Sequence, residues 1–387
     1  MKTLLLIPSV LKTGVENAVR HGDHPRMDYH ALAGELRQGQ GHADLVGYAE
    51  VDADSHPLVR LTRRLAGRDA ALAMVGFLRG AKYDAIFTNG ENVAIPLALL
   101  LRNKRRRPAH VTIGHRPSTG KKRLFFGSLR VHDQIDSILL YATTQHDFAR
   151  SELRITPQKL RRIEFHADEQ FFKPRPQIPV NPAQICAAGL EWRDYPTLIA
   201  AMESLPDLEL RIAAASPWSK HRNETEARTL PPNVSAKRYA YNELRDLYAA
   251  SAIVAVPLYE NDFQAGVTTL LEAMAMGKAV IVTRTTGQTD IITDGVNGLC
   301  VAVGDVDGWF EAIRRLQNDV ALRIQLGTNA LRWVHEHATL NRWSGEITAA
   351  LRNATAAMRR PDGFTGNAPR TSPDTLPDSV LQRSLSK

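Results

Sequence analysis

Two polar residues eight positions apart, Gln264 and Glu272, bracket a glycine, Gly266, in the segment 259–276, YENDFQAGVTTLLEAMAM. The apolar run 252–258 before it reads as a buried strand. A polar loop with Glu260, Asp262 and Gln264 follows. Gly266 then opens an apolar helix that ends at Gly277, and 279–283 is the next strand. The backbone N–H groups of Gly266, Val267 and Thr268 at such a helix start have no intrahelical partner, and the dipole there is positive. Together they suit a phosphate or diphosphate. Glu272 lies about two turns further in, where a carboxylate can accept hydrogen bonds from a diol such as a ribose. The composite suits a sugar nucleotide.

A site of this kind needs a parallel α/β layer to hold it. In the second half the spacing predicts strands over 184–188 and 209–214, a short strand from Val234, then the unit just described, then a strand over 299–303. Helical patterns alternate with these strands over 195–204, 242–249, 306–317, 320–337 and 343–358. The first half alternates in the same way. Strands are expected at 3–7, 83–88, 109–113, 137–141 and 159–165, with 43–51 a strand or an irregular element. Helices are expected at 29–38, 56–80 and 93–101. In the long pattern 56–80, Leu58, Leu61, Leu65, Leu72, Val75 and Leu78 share an apolar face. The proline-rich run 172–182, FKPRPQIPVNP, reads as a linker. The expected organisation is therefore a first α/β domain over 1–172, a linker over 173–182 and a second over 183–340. A terminal helix over 341–360, with room to cross back to the first domain, and a disordered tail over 361–387 complete it. Ligands in such sheets bind beyond the carboxyl ends of strands, which singles out the loops 12–14, 89–91, 114–116 and 166–168. In them His115 could donate to a sugar hydroxyl or stabilise a leaving phosphate.

Composition bounds the alternatives. The chain has 387 residues, 43% hydrophobic and 23% charged, the profile of a soluble globular protein with two cores. The start, MKTLLLIPSVLK, reads as a first strand and not as a leader. No apolar run has the length of a membrane span, and Cys186 and Cys300 sit in strand-like runs as reduced core thiols, which suits the cytoplasm. The net charge of +8 is uneven. Residues 1–180 carry 28 Lys and Arg against 18 Asp and Glu; the remainder carries 21 against 23. Residues 102–130 hold ten basic residues and no acid. Within them 120–130, GKKRLFFGSLR, is a short basic amphipathic element suited to an anionic membrane surface, while 104–107 suits the negative end of a helix dipole. Nucleic-acid binding is not expected, since no aromatic-rich binding sheet or helix-turn-helix pattern accompanies the charge. Asp52-Ala53-Asp54 has a spacing that can hold a metal beside a diphosphate, but no buried strand leads into it, so no metal is expected there.

On the segments 189–200 (GLEWRDYPTLIA), 247–257 (LYAASAIVAVP), 264–282 and 289–303 (TDIITDGVNGLCVAV), the second half resembles the retaining GT-B glycosyltransferases of family 4, the glycosyl transferases group 1. Weaker similarity extends through 163–174 and the first strand. The resemblance implies two Rossmann-like domains facing across a cleft. It implies transfer of a sugar from a UDP- or GDP-sugar to an acceptor hydroxyl with retention, and no cofactor or essential metal. The acceptor would be a glycan or a lipid-linked molecule. It assigns Glu272 to the ribose and Gly266, Val267 and Thr268 to the diphosphate. Tyr239-Ala240 falls by the base, His115 by the donor sugar and Gly14 in the first loop. Arg193 matches a family lysine aimed at the diphosphate; a second family cation falls on Leu190 and is missing, with Lys220 a candidate helper. Trp218, read from its own type, suits packing more than a base stack. The family's first glutamate falls on Gln264, which can hydrogen-bond a hydroxyl but brings no negative charge; Glu260 is a nearby stand-in. A sugar-nucleotide epimerase built on the same fold is the other enzyme class this pattern admits.

Overall fold

The computed structural model describes residues 1–213 and 230–359. Two six-stranded sheets, parallel throughout, form two lobes. The first contains β1 (Lys2–Leu6), β2 (His42–Val46), β3 (Ala85–Thr88), β4 (Ala109–Gly114), β5 (Ser137–Leu140) and β6 (Leu160–Arg162) in the order β2-β1-β3-β4-β5-β6. The second contains β7 (Asn181–Ala188), β8 (Glu209–Ala213), β9 (Val234–Lys237), β10 (Ser251–Val256), β11 (Ala279–Thr283) and β12 (Leu299–Val301) in the order β12-β11-β10-β7-β8-β9. The central strands read as unbroken apolar runs because helices cover both faces: every residue of β3, β4, β10 and β11 is buried.

Strand order fixes where a ligand can enter. From β1 the chain winds to β2 on one side and then to β3 on the other. From β7 it winds to β8 and β9, then returns to β10 at the opposite edge of β7. Crevices open at such reversals, beyond the carboxyl ends of the two flanking strands. In the second lobe these ends lead into 189–194 and 257–266, the segments that carry Arg193, Gln264 and Gly266. In the first they lead into 7–14 and 89–91.

Between β2 and β3 the structure departs from the sequence expectation. Residues 43–51 split into β2 and a short helix, Tyr48–Ala53. The long helix Pro57–Arg79 breaks at Gly67, whose φ of 83° is not helical. Its second part is buried, with Leu72 and Val75 packed among Leu4, Leu6 and Ile86, while in the first part Val59 alone is buried. Leu58, Leu61 and Leu65 face solvent. The last helix, Leu340–Arg359, lies on the first lobe: Leu340, Trp343, Ile347 and Leu351 share a core with Leu5, Phe87 and Val111. The segment 120–130 is helical over Gly120–Arg123 and continues as a wider turn over Leu124–Ser128 that buries only Phe126.

Candidate active site

β7 and β10 leave their sheet side by side, and their exit loops zip together. Asp194 N–H donates to Pro257 O at 3.2 Å, and Tyr259 N–H donates to Trp192 O at 3.1 Å. This fixes Arg193, whose side chain turns under the loop. Its Nε donates to Ala188 O at 2.8 Å, one terminal nitrogen to Glu191 O at 2.9 Å and the other to Thr269 Oγ1 at 3.1 Å. Two left-handed glycines make the space. A Cβ on Gly189 (φ 95°) would lie 2.5 Å from the guanidinium. A Cβ on Gly266 (φ 77°) would lie 2.8 Å from a Val256 methyl and 3.2 Å from the guanidinium. A side chain at either position would be strained in backbone and would displace the cation. Burial draws the guanidinium pKa below its usual range, against the pull of Tyr195, Tyr248, Glu191 and Glu272.

Gly266 also starts the helix Val267–Ala275. Gly266 and Val267 are half-buried and Thr268 is exposed, so the helix start is open. Glu272 lies deeper on the same helix and is buried, with Oε2 accepting from the Tyr248 hydroxyl at 3.2 Å. Burial pushes its carboxyl up to about 8; the Tyr248 bond and Arg193 work in the other direction.

The first lobe faces this from the carboxyl ends of its strands. His115 follows β4 and lies near Gly90, its ring 5.7 Å from that of Tyr141. His115 is solvent-exposed in the cleft, and the surrounding walls, by partly displacing water from it, lower its pKa, with Glu91 opposing and Lys122 adding to the shift. Arg116 pairs with Asp262 at 2.7 Å and lies over the rings of Phe263 and Trp192 at 4.9 and 5.5 Å. Ser118 Oγ donates to Asp262 Oδ2 at 2.6 Å, and Gln145 Nε2 donates to Asp262 O at 2.6 Å. Gln264 is buried; its amide nitrogen donates to Tyr141 O at 3.3 Å and lies 3.5 Å from Asp290 Oδ2. Its Oε1 is buried without a partner among the described residues. At the other mouth Lys12 Nζ sits 3.3 Å from His24 Nε2 and 5.3 Å from the centre of the Tyr241 ring, and Arg245 donates to Gly22 O at 2.8 Å. The lobes thus touch at both mouths of one cleft.

That cleft encloses about 910 Å³. Its walls bring together His115, Arg193, Tyr239, Gln264, Gly266, Val267, Thr268 and Glu272. Gly14 is not among the lining residues. It caps the helix Val15–His21 with φ 75°, and Lys12, two residues earlier, takes its place at the wall. Glu260 is also outside, its carboxylate accepting from Thr286 N–H at 2.9 Å. Leu190 lines the wall as an apolar residue. Trp218 and Lys220 lie outside the described residues. Asp52 and Asp54 are bound by Arg63, Arg68 and Arg79. Among the described residues no cluster of three or more His, Cys, Asp or Glu could hold a metal ion.

The clasp of Arg116 and Asp262 was not expected from sequence, although both residues lie in loops that the strand pattern marks. A signal was present: two opposite charges, each just past a strand end, in lobes that must face each other. Trp192 and Phe263, whose rings meet edge to face beside the Arg116 guanidinium, carried no pattern of their own.

Residues 185–319 match the family model described as glycosyl transferases group 1. Among curated relatives, the D-inositol 3-phosphate glycosyltransferase of Kribbella flavida is 37% identical over 120 residues, covering 30% of this chain and 26% of that protein. That of Corynebacterium glutamicum is 32% identical over 126 residues, covering 32% and 28%. The chain thus matches about a quarter of the length of these relatives. Among solved structures, a glycosyltransferase from Rickettsia africae superposes with a TM-score of 0.69 at 16% identity, covering 91% of this chain and 98% of that one. A sucrose-phosphate synthase from Thermosynechococcus elongatus gives 0.70 at 17%, covering 92% and 100%. Anabaena HepE in complex with UDP and glucose gives 0.64 at 14%, covering 91% and 99%. The fold is therefore GT-B, two Rossmann-like lobes across a cleft, as the sequence led us to expect. Its second lobe carries the glycosyl transferases group 1 signature.

Proposed function

We propose that this chain is a glycosyltransferase that moves a sugar from a UDP- or GDP-sugar to an acceptor hydroxyl, retaining anomeric configuration and using no metal. One observation carries the reading. The open helix start 266–268, Arg193 beneath it and the buried Glu272 on the same helix line one cleft between two lobes. A diphosphate at the helix start meets unpaired N–H groups and a positive dipole. Arg193 has five donors in a planar fork, of which three are bound to the acceptors named above, so the fork can also serve the leaving diphosphate. These fixed charges stabilise the departing group without a cation. Glu272 takes the ribose hydroxyls, whose hydrogen bonds favour its charged form. Tyr239 flanks the base. His115 and Gln264 face the donor sugar, Gln264 through its unpartnered Oε1. Structures of Anabaena HepE with UDP and with UDP-glucose support the nucleotide-sugar class.

The acceptor we assign is a glycan or lipid-linked molecule entering from the first lobe, within cell-surface glycan or glycolipid synthesis. The place of work is the cytoplasm or the inner face of its membrane. No described helix is long and apolar enough to cross a membrane. The test is calorimetric titration with UDP and GDP, wild type against Glu272→Ala. One nucleotide should bind, and the substitution should weaken it about tenfold or more. Binding of neither nucleotide, or equal binding by the variant, defeats the assignment. Incubation with nucleotide sugars and candidate acceptors should yield a glycoside; an isomerised free sugar instead would make the chain an epimerase.

A further inference from the structure

The second lobe brings little positive charge to the cleft. Among the described residues Arg193 is the one Lys or Arg that it sets on the wall, while Glu191 and Glu272 stand on the same wall and Leu190 is apolar. A nucleoside diphosphate ester carries a negative charge on each phosphate and gains another when the sugar departs. The helix start meets it with partial charges only, and Arg193 already donates to Ala188 O, Glu191 O and Thr269 Oγ1. Such a ligand calls for a further cation on the side that the second lobe does not cover.

Two such groups line the cleft from the first lobe, Lys12 and Arg116. They stand at different ends. Lys12 lies over Tyr241 and beside His24, at the end where Tyr239 and Ala240 form the wall. The Arg116 guanidinium lies 4.9 Å from the centre of the Phe263 ring and 5.5 Å from that of Trp192. Trp192 immediately precedes Arg193, and Phe263 is three residues before Gly266. The rings that place Arg116 therefore belong to the two loops that build the helix-start site. Its orientation is fixed too. Arg116 N–H donates to Oε1 of the buried Glu91 at 2.7 Å. Nε lies 2.7 Å from Asp262 Oδ1, and Asp262 Oδ2 is taken by Ser118 Oγ at 2.6 Å. Asp262 is not among the lining residues, so the carboxylate stands behind the cation. The terminal nitrogens of Arg116 make no hydrogen bond among the described residues and are donors left for a ligand.

We propose, resting on the nucleotide-sugar reading above, that Arg116 is the second cation of the diphosphate site, a catalytic residue that the first lobe delivers as the lobes close. In the transfer the bond from the anomeric carbon to the β-phosphate oxygen breaks, and its electron pair stays on that oxygen. The acceptor oxygen bonds to the anomeric carbon, and its proton passes to the departing diphosphate. The terminal nitrogens of Arg116 meet the β-phosphate from the lobe opposite Arg193 and bind the charge that builds there. An open enzyme then holds its donor without the cation that activates it, so cleavage waits for closure. An acidic group on the acceptor would also suit a guanidinium. The loops that place Arg116 are those of the donor site, which favours the diphosphate.

The test is calorimetric titration of the full chain with a nucleoside diphosphate and with its monophosphate, UDP against UMP and GDP against GMP. Arg116→Ala should weaken the diphosphate about tenfold or more and leave the monophosphate, which has no β-phosphate, within about twofold of wild type. Arg116→Lys should recover part of the loss. Asp262→Ala breaks the clasp but keeps the cation, so its ratio of diphosphate to monophosphate affinity should stay close to that of wild type. The pair is partly exposed, and the variants should melt near wild type. If wild type binds none of the four nucleotides, the nucleotide-sugar reading fails and the role of Arg116 with it. If wild type binds the diphosphate and Arg116→Ala keeps the wild-type ratio, that reading stands and Arg116 is not its cation. An equal shift of the ratio in Arg116→Ala and Asp262→Ala overturns the proposal as well, because the pair then acts as a clasp alone.

Discussion

The two lobes build their sides of the cleft by different means. In the second, Arg193 and the helix start are fixed from within their own lobe. Arg193 is held by Ala188 O, Glu191 O and Thr269 Oγ1, the loops by β-like bonds between 192–194 and 257–259, and the helix start by the glycine that shapes it. In the first lobe the groups at the mouth are held largely by reaching across. Arg116 is placed by Asp262, Phe263 and Trp192, and Lys12 lies over Tyr241. One wall is assembled before any ligand arrives, while the other depends on closure. Electrostatic stabilisation needs groups that do not reorganise during reaction, and an acceptor needs a way in. The division suits both demands.

The sharpest way to break this contrast is to remove the fixed cation. Arg193→Ala should weaken UDP or GDP binding about 100-fold, because a buried charge-assisted fork is lost. Arg193→Lys should recover only part, since an ammonium cannot reach three acceptors and a diphosphate in one plane. Calorimetry reads both. If Arg193→Ala binds as tightly as wild type, the second lobe is not the pre-formed wall described here.

Glu272 tests the same wall through pH. Its carboxyl is raised to about 8 by burial in the ligand-free protein. A carboxyl raised in the folded state stabilises the fold below its unfolded value of roughly 4.3, and that stability is lost as pH rises through about 8. Glu272→Gln should therefore gain in melting temperature relative to wild type between pH 5 and 9, by on the order of 1–3 kcal/mol at the upper end. Nucleotide binding should run the other way. If the ribose is bound by the carboxylate, affinity in wild type should improve by about tenfold from pH 6 to pH 8, with proton release visible as a buffer-dependent heat. A flat profile in both measurements would show that Glu272 stays charged without ligand or does not touch it.

How much of this the sequence exposed follows from the same division. Strand-helix alternation was legible because every crossing from one parallel strand to the next needs a helix, and buried strands read as apolar runs. The second-lobe wall was legible because its parts lie in short continuous segments, 189–194 and 264–272, where glycines and a carboxylate stand at helix-related spacing. The first-lobe wall was legible only in part: strand ends marked the loops that hold Lys12, His115 and Arg116, whereas His24 and Tyr141 are singled out by their tertiary partners alone. Gly14 was expected at the wall because the resemblance puts it in the first loop, and the structure uses its left-handed backbone to start a helix. Leu58, Leu61 and Leu65 continue the periodicity of Leu72 and Val75, but the left-handed Gly67 breaks the face. Periodicity alone does not say which turn of a helix has a sheet beneath it.

The wall that depends on closure should yield a smaller effect. Asp262→Ala removes the partner of Arg116 and the acceptor of Ser118 Oγ. The pair is partly exposed, so its contribution to global stability is about 1 kcal/mol or less, and the melting temperature should move little. The effect should appear in shape and affinity. Small-angle scattering should report a larger radius of gyration without ligand, and nucleotide affinity should fall about threefold to fivefold as the open state is populated. An unchanged scattering curve with unchanged affinity would mean that the clasp follows closure and does not hold it.

The smallest effect on nucleotide binding is expected at Gln264, deeper in the cleft, where the walls also meet. Gln264 belongs to the second lobe, but its amide nitrogen donates to Tyr141 O of the first and faces Asp290, which itself accepts from Thr143 N–H at 2.9 Å. With the nitrogen on that side, Oε1 is the atom left without a partner, so the amide presents an acceptor that a sugar hydroxyl can fill. A glutamate here would set an oxygen against the Tyr141 carbonyl and add a second charge near Asp290. Gln264→Glu should therefore lower stability by about 1 kcal/mol at pH 8 and less at pH 5, where a protonated carboxyl can donate in place of the amide. Adding Asp290→Asn should recover part of that loss, and a double-mutant cycle of melting temperatures measures the coupling. UDP itself should bind the variant within about twofold of wild type, since the proposed assignment sets the residue by the sugar and not by the nucleotide, whereas UDP-sugar affinity should change. Additivity of the two substitutions would separate Asp290 from Gln264 and leave the glutamine without a structural reason.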